Sequence, residues 1–158
     1  MTGAVEPLDG VARDATARLL ARGLCRHFVR LGMTAIPEVV LPNGRRADLA
    51  ALGRKGEIWI VEIKSSVEDF RTDAKWRDYL PFCDRFFFAT HLGVPPEIFP
   101  EEAGFILCDG FGAEVIRQHE RVPLAGATRK AFTIELARLA SARLMALTDP
   151  EGLIPARF

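Results

Sequence analysis

The sequence predicts an α/β fold, with a mixed central sheet flanked by helices. Three observations carry this. Two short loops that end in glycine, Pro42-Asn43-Gly44 and Arg54-Lys55-Gly56, separate three strand-like runs and read as the hairpins of an antiparallel meander. The third run, Glu57 to Lys64, is apolar at both alternating sets of positions over Ile58–Val61, as a covered central strand would be. A helical segment then leads into Phe86-Phe87-Phe88, and a strand–helix–strand unit of that length implies a parallel crossover.

Residues 1–9 read as a loose arm, with Gly3, Pro7 and Gly10 in or beside it. From about Val11 to Leu31 the spacing is helical, with Ala15, Leu19, Leu20, Leu24, Phe28 and Leu31 as an apolar stripe. Arg18, Arg22, Arg26 and Arg30 follow one another at i+4 and so share one side of that helix. Such a row is commonly a solvated face. Its near-lack of interleaved acids, Asp14 apart, also fits a ridge that tracks phosphates.

Thr34 to Leu41 and Arg45 to Leu52 are the first two strands. A three-residue loop at Pro42-Asn43-Gly44 sets Leu41 opposite Arg45 and Glu38 opposite Asp48. A two-residue Asn-Gly turn would shift the register by one and send Glu38 to the other face. The Arg54-Lys55-Gly56 loop, read the same way, sets Gly53 opposite Glu57 and Asp48 opposite Glu62. Glu38, Asp48 and Glu62 then form a row across three strands, with Lys64 beside them. Carboxylates about 5 Å apart repel, so a row of this kind makes sense around a cation. In the plainer reading, Glu62 and Lys64 simply pair with each other at the strand end.

Beyond Lys64, Ser65-Ser66 opens a helix. Ser66 and Asp69 resemble a capping box, Phe70, Ala74, Trp76 and Leu80 are the apolar positions, and Pro81 ends it. Asp69 and Asp73 lie one turn apart, followed by Lys75. Arg85 to Thr90 is the next covered strand, and Pro95, Pro96 and Pro100 mark an irregular connection. Gly104 to Asp109 and Ala113 to Gln118 form a further hairpin around Asp109-Gly110. A last helix runs from about Arg129 to Leu147, with Phe132, Leu136, Leu139, Leu144 and Leu147 on its core side, and the tail from Asp149 is loose. The whole of 1–158 is expected to be a single domain.

Lys and Arg number 21, as do Asp and Glu, so nucleic acid would have to be held by a local basic patch rather than by bulk charge. The scattered Cys25, Cys83 and Cys108 lie in apolar surroundings and read as reduced core thiols of a cytoplasmic protein. No cysteine–histidine cluster suggests zinc, and His27, His91 and His119 lack ligand spacing. No apolar run is long enough to span a membrane, and no signal peptide is expected.

The order helix, three-strand meander, helix, strand resembles the core of the PD-(D/E)XK nuclease superfamily, with its restriction-endonuclease-like αβββαβ arrangement. Asp48 resembles the motif aspartate, and Glu62-Ile63-Lys64 the (D/E)-x-K element. The longer pattern runs through Asn43-Gly44-Arg45-Arg46-Ala47-Asp48, Val61-Glu62-Ile63-Lys64-Ser65-Ser66, Asp69-Phe70, Asp73, Lys75-Trp76, Tyr79 and Cys83-Asp84-Arg85-Phe86. Over about residues 11 to 147 it is similar to the bacterial MmcB family of DNA-repair proteins.

That resemblance implies a metal-dependent deoxyribonuclease. Asp48 and Glu62 carry over as metal ligands and Lys64 as the basic partner of the attacking water. Mg²⁺ or Mn²⁺ is the expected cofactor, with the Ile63 carbonyl as a further oxygen. Two departures stand out: Ala47 replaces the usual proline, and the first helix offers only Asp14 as an acid, so either Asp14 or Glu38, which the register sets beside Asp48, is expected to complete the site. DNA is the expected partner, touched by Arg18, Arg22, Arg26, Arg30 and Lys75; the oligomeric state is open between monomer and homodimer. The alternative is a non-catalytic DNA-binding or recruitment module that keeps the nuclease fold.

Overall fold

The computed structural model describes residues 8–71 and 75–152. Asp73 and Ala74, the arm before Leu8 and the tail after Gly152 lie outside the described residues. The elements are α1 (Leu8–Arg30), β1 (Met33–Val40), β2 (Arg46–Gly53), β3 (Ile58–Ile63), α2 (Val67–Arg71), a 3₁₀ helix (Trp76–Phe82), β4 (Arg85–Thr90), a 3₁₀ turn (Pro96–Ile98), β5 (Gly104–Cys108), β6 (Ala113–Arg117) and α3 (Gly126–Thr148). The six strands form one sheet in the order β1-β2-β3-β4-β5-β6. β1–β2–β3 is an antiparallel meander, β3, β4 and β5 run parallel, and β6 returns antiparallel.

Both meander loops are the three-residue kind. Leu41 N–H donates to Arg45 O at 2.7 Å and Gly44 N–H to Leu41 O at 2.9 Å. Gly53 N–H donates to Glu57 O at 2.8 Å and Gly56 N–H to Gly53 O at 3.0 Å. Gly44 and Gly56 hold φ of 83° and 85°, which glycine adopts without the clash a Cβ would bring. The two-residue rival is thereby excluded.

Each face of the sheet has its own core. On one side Leu20, Leu24 and Phe28 of α1 pack on Leu49, Trp59, Val61, Phe87 and Ile106. On the other, Trp76, Tyr79, Phe99, Phe132 and Leu136 cover Ile58, Ile60, Phe86 and Phe88. β3 is buried at every position, as its unbroken apolar run requires. Aromatic rings hold both layers: Trp59 lies 4.9 Å from Phe87 on one face, and Trp76 lies 5.3 Å from Phe86 on the other. Such contacts contribute roughly 0.5–1.5 kcal/mol each beyond the area they bury.

Three expectations are corrected. The helix from Ser66 to Pro81 is not continuous: α2 is described over Val67–Arg71, Lys75 is not helical, and the segment from Trp76 is a 3₁₀ helix that runs through Pro81 to Phe82. The tighter winding turns both Trp76 and Tyr79, at i and i+3, into the core. On α1, Ala15, Leu19 and Leu31 are exposed rather than part of the buried stripe, and on α3 Leu144 and Leu147 are exposed. α3 packs through Phe132, Leu136 and Leu139, and its later turns pass beyond the sheet's cover.

Candidate metal centre

The β2–β3 ladder runs from Leu52↔Ile58 to Leu49↔Val61, and the next positions in that register are Asp48 and Glu62. There the regular bonding gives way to a side-chain clasp. Asp48 N–H donates to Glu62 Oε1 at 3.0 Å, and Ile63 N–H donates to Asp48 Oδ2 at 2.7 Å. Each carboxylate thus takes a backbone donor from the other strand. This holds the two acids against each other, where two bare charges would move apart.

Glu62 and Lys64 are only 5 % and 6 % exposed. They lie two residues apart and so on one face of the chain. Burial raises the Asp48 carboxyl above its ordinary pKa, and Asp69 adds to the rise. The Ile63 N–H, Lys64 and Arg46 pull it the other way. The site is therefore a tight group of acids balanced by one buried ammonium and a backbone donor.

The Lys64 backbone is fixed from β4. Its N–H donates to Ala89 O at 2.9 Å, and its carbonyl accepts from the buried Thr90 hydroxyl at 2.6 Å. His91 Nε2 lies 2.9 Å from Ser65 O, and its Nδ1 accepts from Gly93 N–H at 3.0 Å. An Nδ1 that accepts leaves Nε2 to carry the proton, so His91 donates to Ser65 O. Neither Thr90 nor His91 was marked by spacing. The only signal was a polar pair closing an otherwise apolar strand.

Asp69 caps the helix start as its spacing from Ser66 predicts, but its nearness to Asp48 goes beyond that expectation. Its N–H donates to Ser66 Oγ at 3.1 Å, and its carboxylate accepts from Ser65 N–H at 3.0 Å. That is a capping box shifted by one residue, and it brings a carboxylate into electrostatic reach of Asp48.

Glu38 does not join the group. In register it stands opposite Asp48, between the pairs Pro37↔Leu49 and Val39↔Ala47. Its φ is 53°, and the inward–outward alternation slips by one residue there. Ile36 and Val39, three apart, face one core, as do Ala47 and Ala50 on β2. The Glu38 side chain is 66 % exposed and reaches Arg46 at 3.8 Å. Among the described residues no three His, Cys, Asp or Glu side chains gather as a metal-binding set.

The first-helix residues lie elsewhere. Asp14 is exposed and pairs with Arg18 at 3.2 Å. Arg22 Nε donates to Gly110 O at 2.9 Å, so this member of the ridge also anchors the β5–β6 turn. Arg26 and Arg30 are exposed, and Lys75 is exposed at the start of the 3₁₀ helix. Burial pushes the Cys83 and Cys108 thiols up to about 12, which suits core residues rather than nucleophiles.

A Mg²⁺ or Mn²⁺ ion asks for hard oxygen donors. The donor set suits one. The clasp brings the Asp48 and Glu62 carboxylates together at one point. Successive residues of a strand aim their backbone groups to opposite sides, and Ile63 N–H goes to Asp48 while Lys64 N–H goes to Ala89. The Ile63 carbonyl therefore shares the Asp48 side.

Comparison with known proteins supplies the family. The model of the MmcB-like family, described as DNA repair protein MmcB-like, matches residues 5–151. Among solved structures, the chain is similar to the SPO1766 protein of unknown function from Silicibacter pomeroyi, at 42% identity and a TM-score of 0.86. That match covers 90% of this chain and 97% of the other. No curated protein matches. With a mixed six-stranded sheet between helices and a family match over nearly its whole length, the chain belongs to the MmcB-like family of DNA repair proteins.

Proposed function

We propose that the protein is a divalent-metal-dependent nuclease that hydrolyses DNA phosphodiester bonds in repair. The observation that carries this is the Asp48–Glu62 clasp at the broken end of the β2–β3 ladder, with buried Lys64 on the same edge. Two carboxylates driven together beside one ammonium are a poor device for stability and a good one for holding a cation. Asp48, Glu62 and the Ile63 carbonyl would hold the ion, which, when bound, supplies charge for an attacking water and a phosphate oxygen.

The chain's own residues do the rest. The two backbone donors hold the carboxylates in place, so that little reorganisation is needed when substrate arrives. Lys64 presents a positive charge where negative charge develops on the phosphate. Thr90 and His91 hold the backbone that carries it.

The test is a cleavage panel of single strands, duplexes, flaps and junctions with Mg²⁺ or Mn²⁺, set against a chelator control. Asp48→Asn should abolish cleavage and the metal-dependent rise in melting temperature while the apo protein stays folded. Lys64→Ala should hold DNA affinity and lose cleavage by about 100-fold or more, as for other preorganised charge donors. Wild-type cleavage by Lys64→Ala would remove its role. Absence of metal-dependent cleavage on every substrate would favour the second reading, a DNA-binding module without catalysis, for which the outward turn of Glu38 speaks.

A further inference from the structure

The parallel strands β3, β4 and β5 end on one edge of the sheet. Ile63 pairs with Ala89 and Thr90 with Leu107, so Lys64, Thr90 and Leu107 stand abreast. Two strand spacings, roughly 10 Å, separate Lys64 from the end of β5. Beyond that end lies the turn Asp109–Gly112, and at its tip Phe111 is 69 % exposed.

This turn is rigid. Asp109 Oδ1 accepts from Phe111 N–H at 2.7 Å and from Gly112 N–H at 2.9 Å, while Asp109 N–H donates to Gly112 O at 3.0 Å. The turn also seats on α1. A Cβ at Gly23 would stand 1.8 Å from Asp109 O, and Arg22 clamps Gly110 O. Phe111 does not stand alone: Leu92, exposed as well, lines the same hollow, and apolar side chains gathered on a surface mark an interaction site.

Its surroundings indicate the partner. The Arg22 guanidinium lies over the Phe111 ring at 5.5 Å. The ring also lines an open hollow of about 390 Å³, together with Arg30, Glu114 and Leu92. Leu92, itself 88 % exposed, follows directly on His91, which is bonded to Ser65. The hollow is thus tied to the segment that carries Lys64. An aromatic face, an aliphatic wall, a guanidinium donor and a carboxylate acceptor, beside a row of arginines, match a nucleobase with its phosphates.

We propose that this hollow receives an unstacked base of single-stranded DNA, stacked on Phe111, with Arg22 and Arg30 toward the flanking phosphates. The inference deepens the nuclease reading and rests on its DNA substrate: an unpaired strand would be held next to the Asp48–Glu62 centre. A base inside a duplex could not reach the ring, so the subsite selects unpaired strands.

The test is fluorescence anisotropy of a labelled oligothymidylate and of a duplex of equal length, both in chelator so that neither is cut. Phe111→Ala and Phe111→Leu should weaken single-strand binding by about tenfold to 100-fold and change duplex binding by less than about twofold. Phe111→Trp should bind the single strand at least as well as wild type, and its added fluorescence should be quenched by the base. Full single-strand affinity in Phe111→Ala would overturn the proposal. So would full affinity in Phe111→Leu, which keeps apolar area without a π face, or an equal loss on duplex. Melting temperatures of all three variants should equal that of wild type. Cleavage is not read in this assay, so an inactive metal centre and an unused hollow give distinct results.

Discussion

Glu38 occupies a left-handed backbone conformation that a residue with a Cβ enters at a cost of about 1 kcal/mol or more. The conformation persists because other groups impose it. Pro37 beside it has no N–H to give the ladder, and the guanidinium of Arg143 from α3 donates to the carbonyls of both Pro37 and Glu38. Glu38→Gly removes the carboxylate and relieves the backbone together. The variant should melt at or above the wild-type temperature and keep its metal response, since the Glu38 side chain faces solvent beside Arg46. A lost metal response would return Glu38 to the site. The register that sets Asp48 opposite Glu62 was legible in the sequence because two glycine-ended loops specify it locally. The direction of Glu38 was not, because it depends on a contact with Arg143, more than a hundred residues away.

At the scale of elements, Asp84 joins β3, β4 and α3. Its carboxylate accepts from Ile58 N–H at 2.7 Å, from Leu124 N–H at 3.0 Å and from two Arg129 nitrogens at 2.6 Å each. Burial alone would raise this carboxyl, but the Arg129 guanidinium and the two backbone donors outweigh it and hold it at about 2. Because the folded pKa lies below the ordinary 3.8, the stabilisation is complete above about pH 4 and is lost as pH falls toward 2. Its size is of the order of 2 kcal/mol. Asp84→Asn should therefore cost about 3 kcal/mol at neutral pH by leaving Arg129 without its charge partner, and should flatten the acid limb between pH 4 and 2. Denaturant melts of both proteins across that range measure it; an acid limb as steep as wild type would place the dependence elsewhere. From sequence, Asp84 was only one residue of a family pattern. A buried charge declares itself when its partner is known, and Arg129 lies on another element. The break between α2 and the 3₁₀ helix was hidden for a related reason. Trp76 and Leu80 fit an α-helical stripe, and packing of Trp76 and Tyr79 against Phe86 decided otherwise.

At the scale of the whole molecule, a chain of zero net charge must bring its basic groups together to hold a polyanion. Layer order was legible because hydrophobic periodicity reports it directly, but the use of each arginine was not, since a row at i+4 looks the same whether it meets solvent, protein or phosphate. The structure divides the row. Arg22 holds the β5–β6 turn, so its removal would disturb the fold along with any phosphate contact. Arg18 and Arg26 are exposed, and the Arg18–Asp14 pair, open to water, contributes little to stability. Replacing Arg18 and Arg26 together with Ala thus tests the ridge without loosening the molecule. If both meet phosphates, log Kd against log salt should lose about two units of slope, one for each contact, and affinity should fall alike on every sequence. The measurement is DNA binding from about 50 to 200 mM salt, in chelator, with the melting temperature followed alongside. An unchanged slope at an unchanged melting temperature would assign the ridge to solvent, and DNA would then have to be held by the sheet edge that carries Lys64 and Phe111.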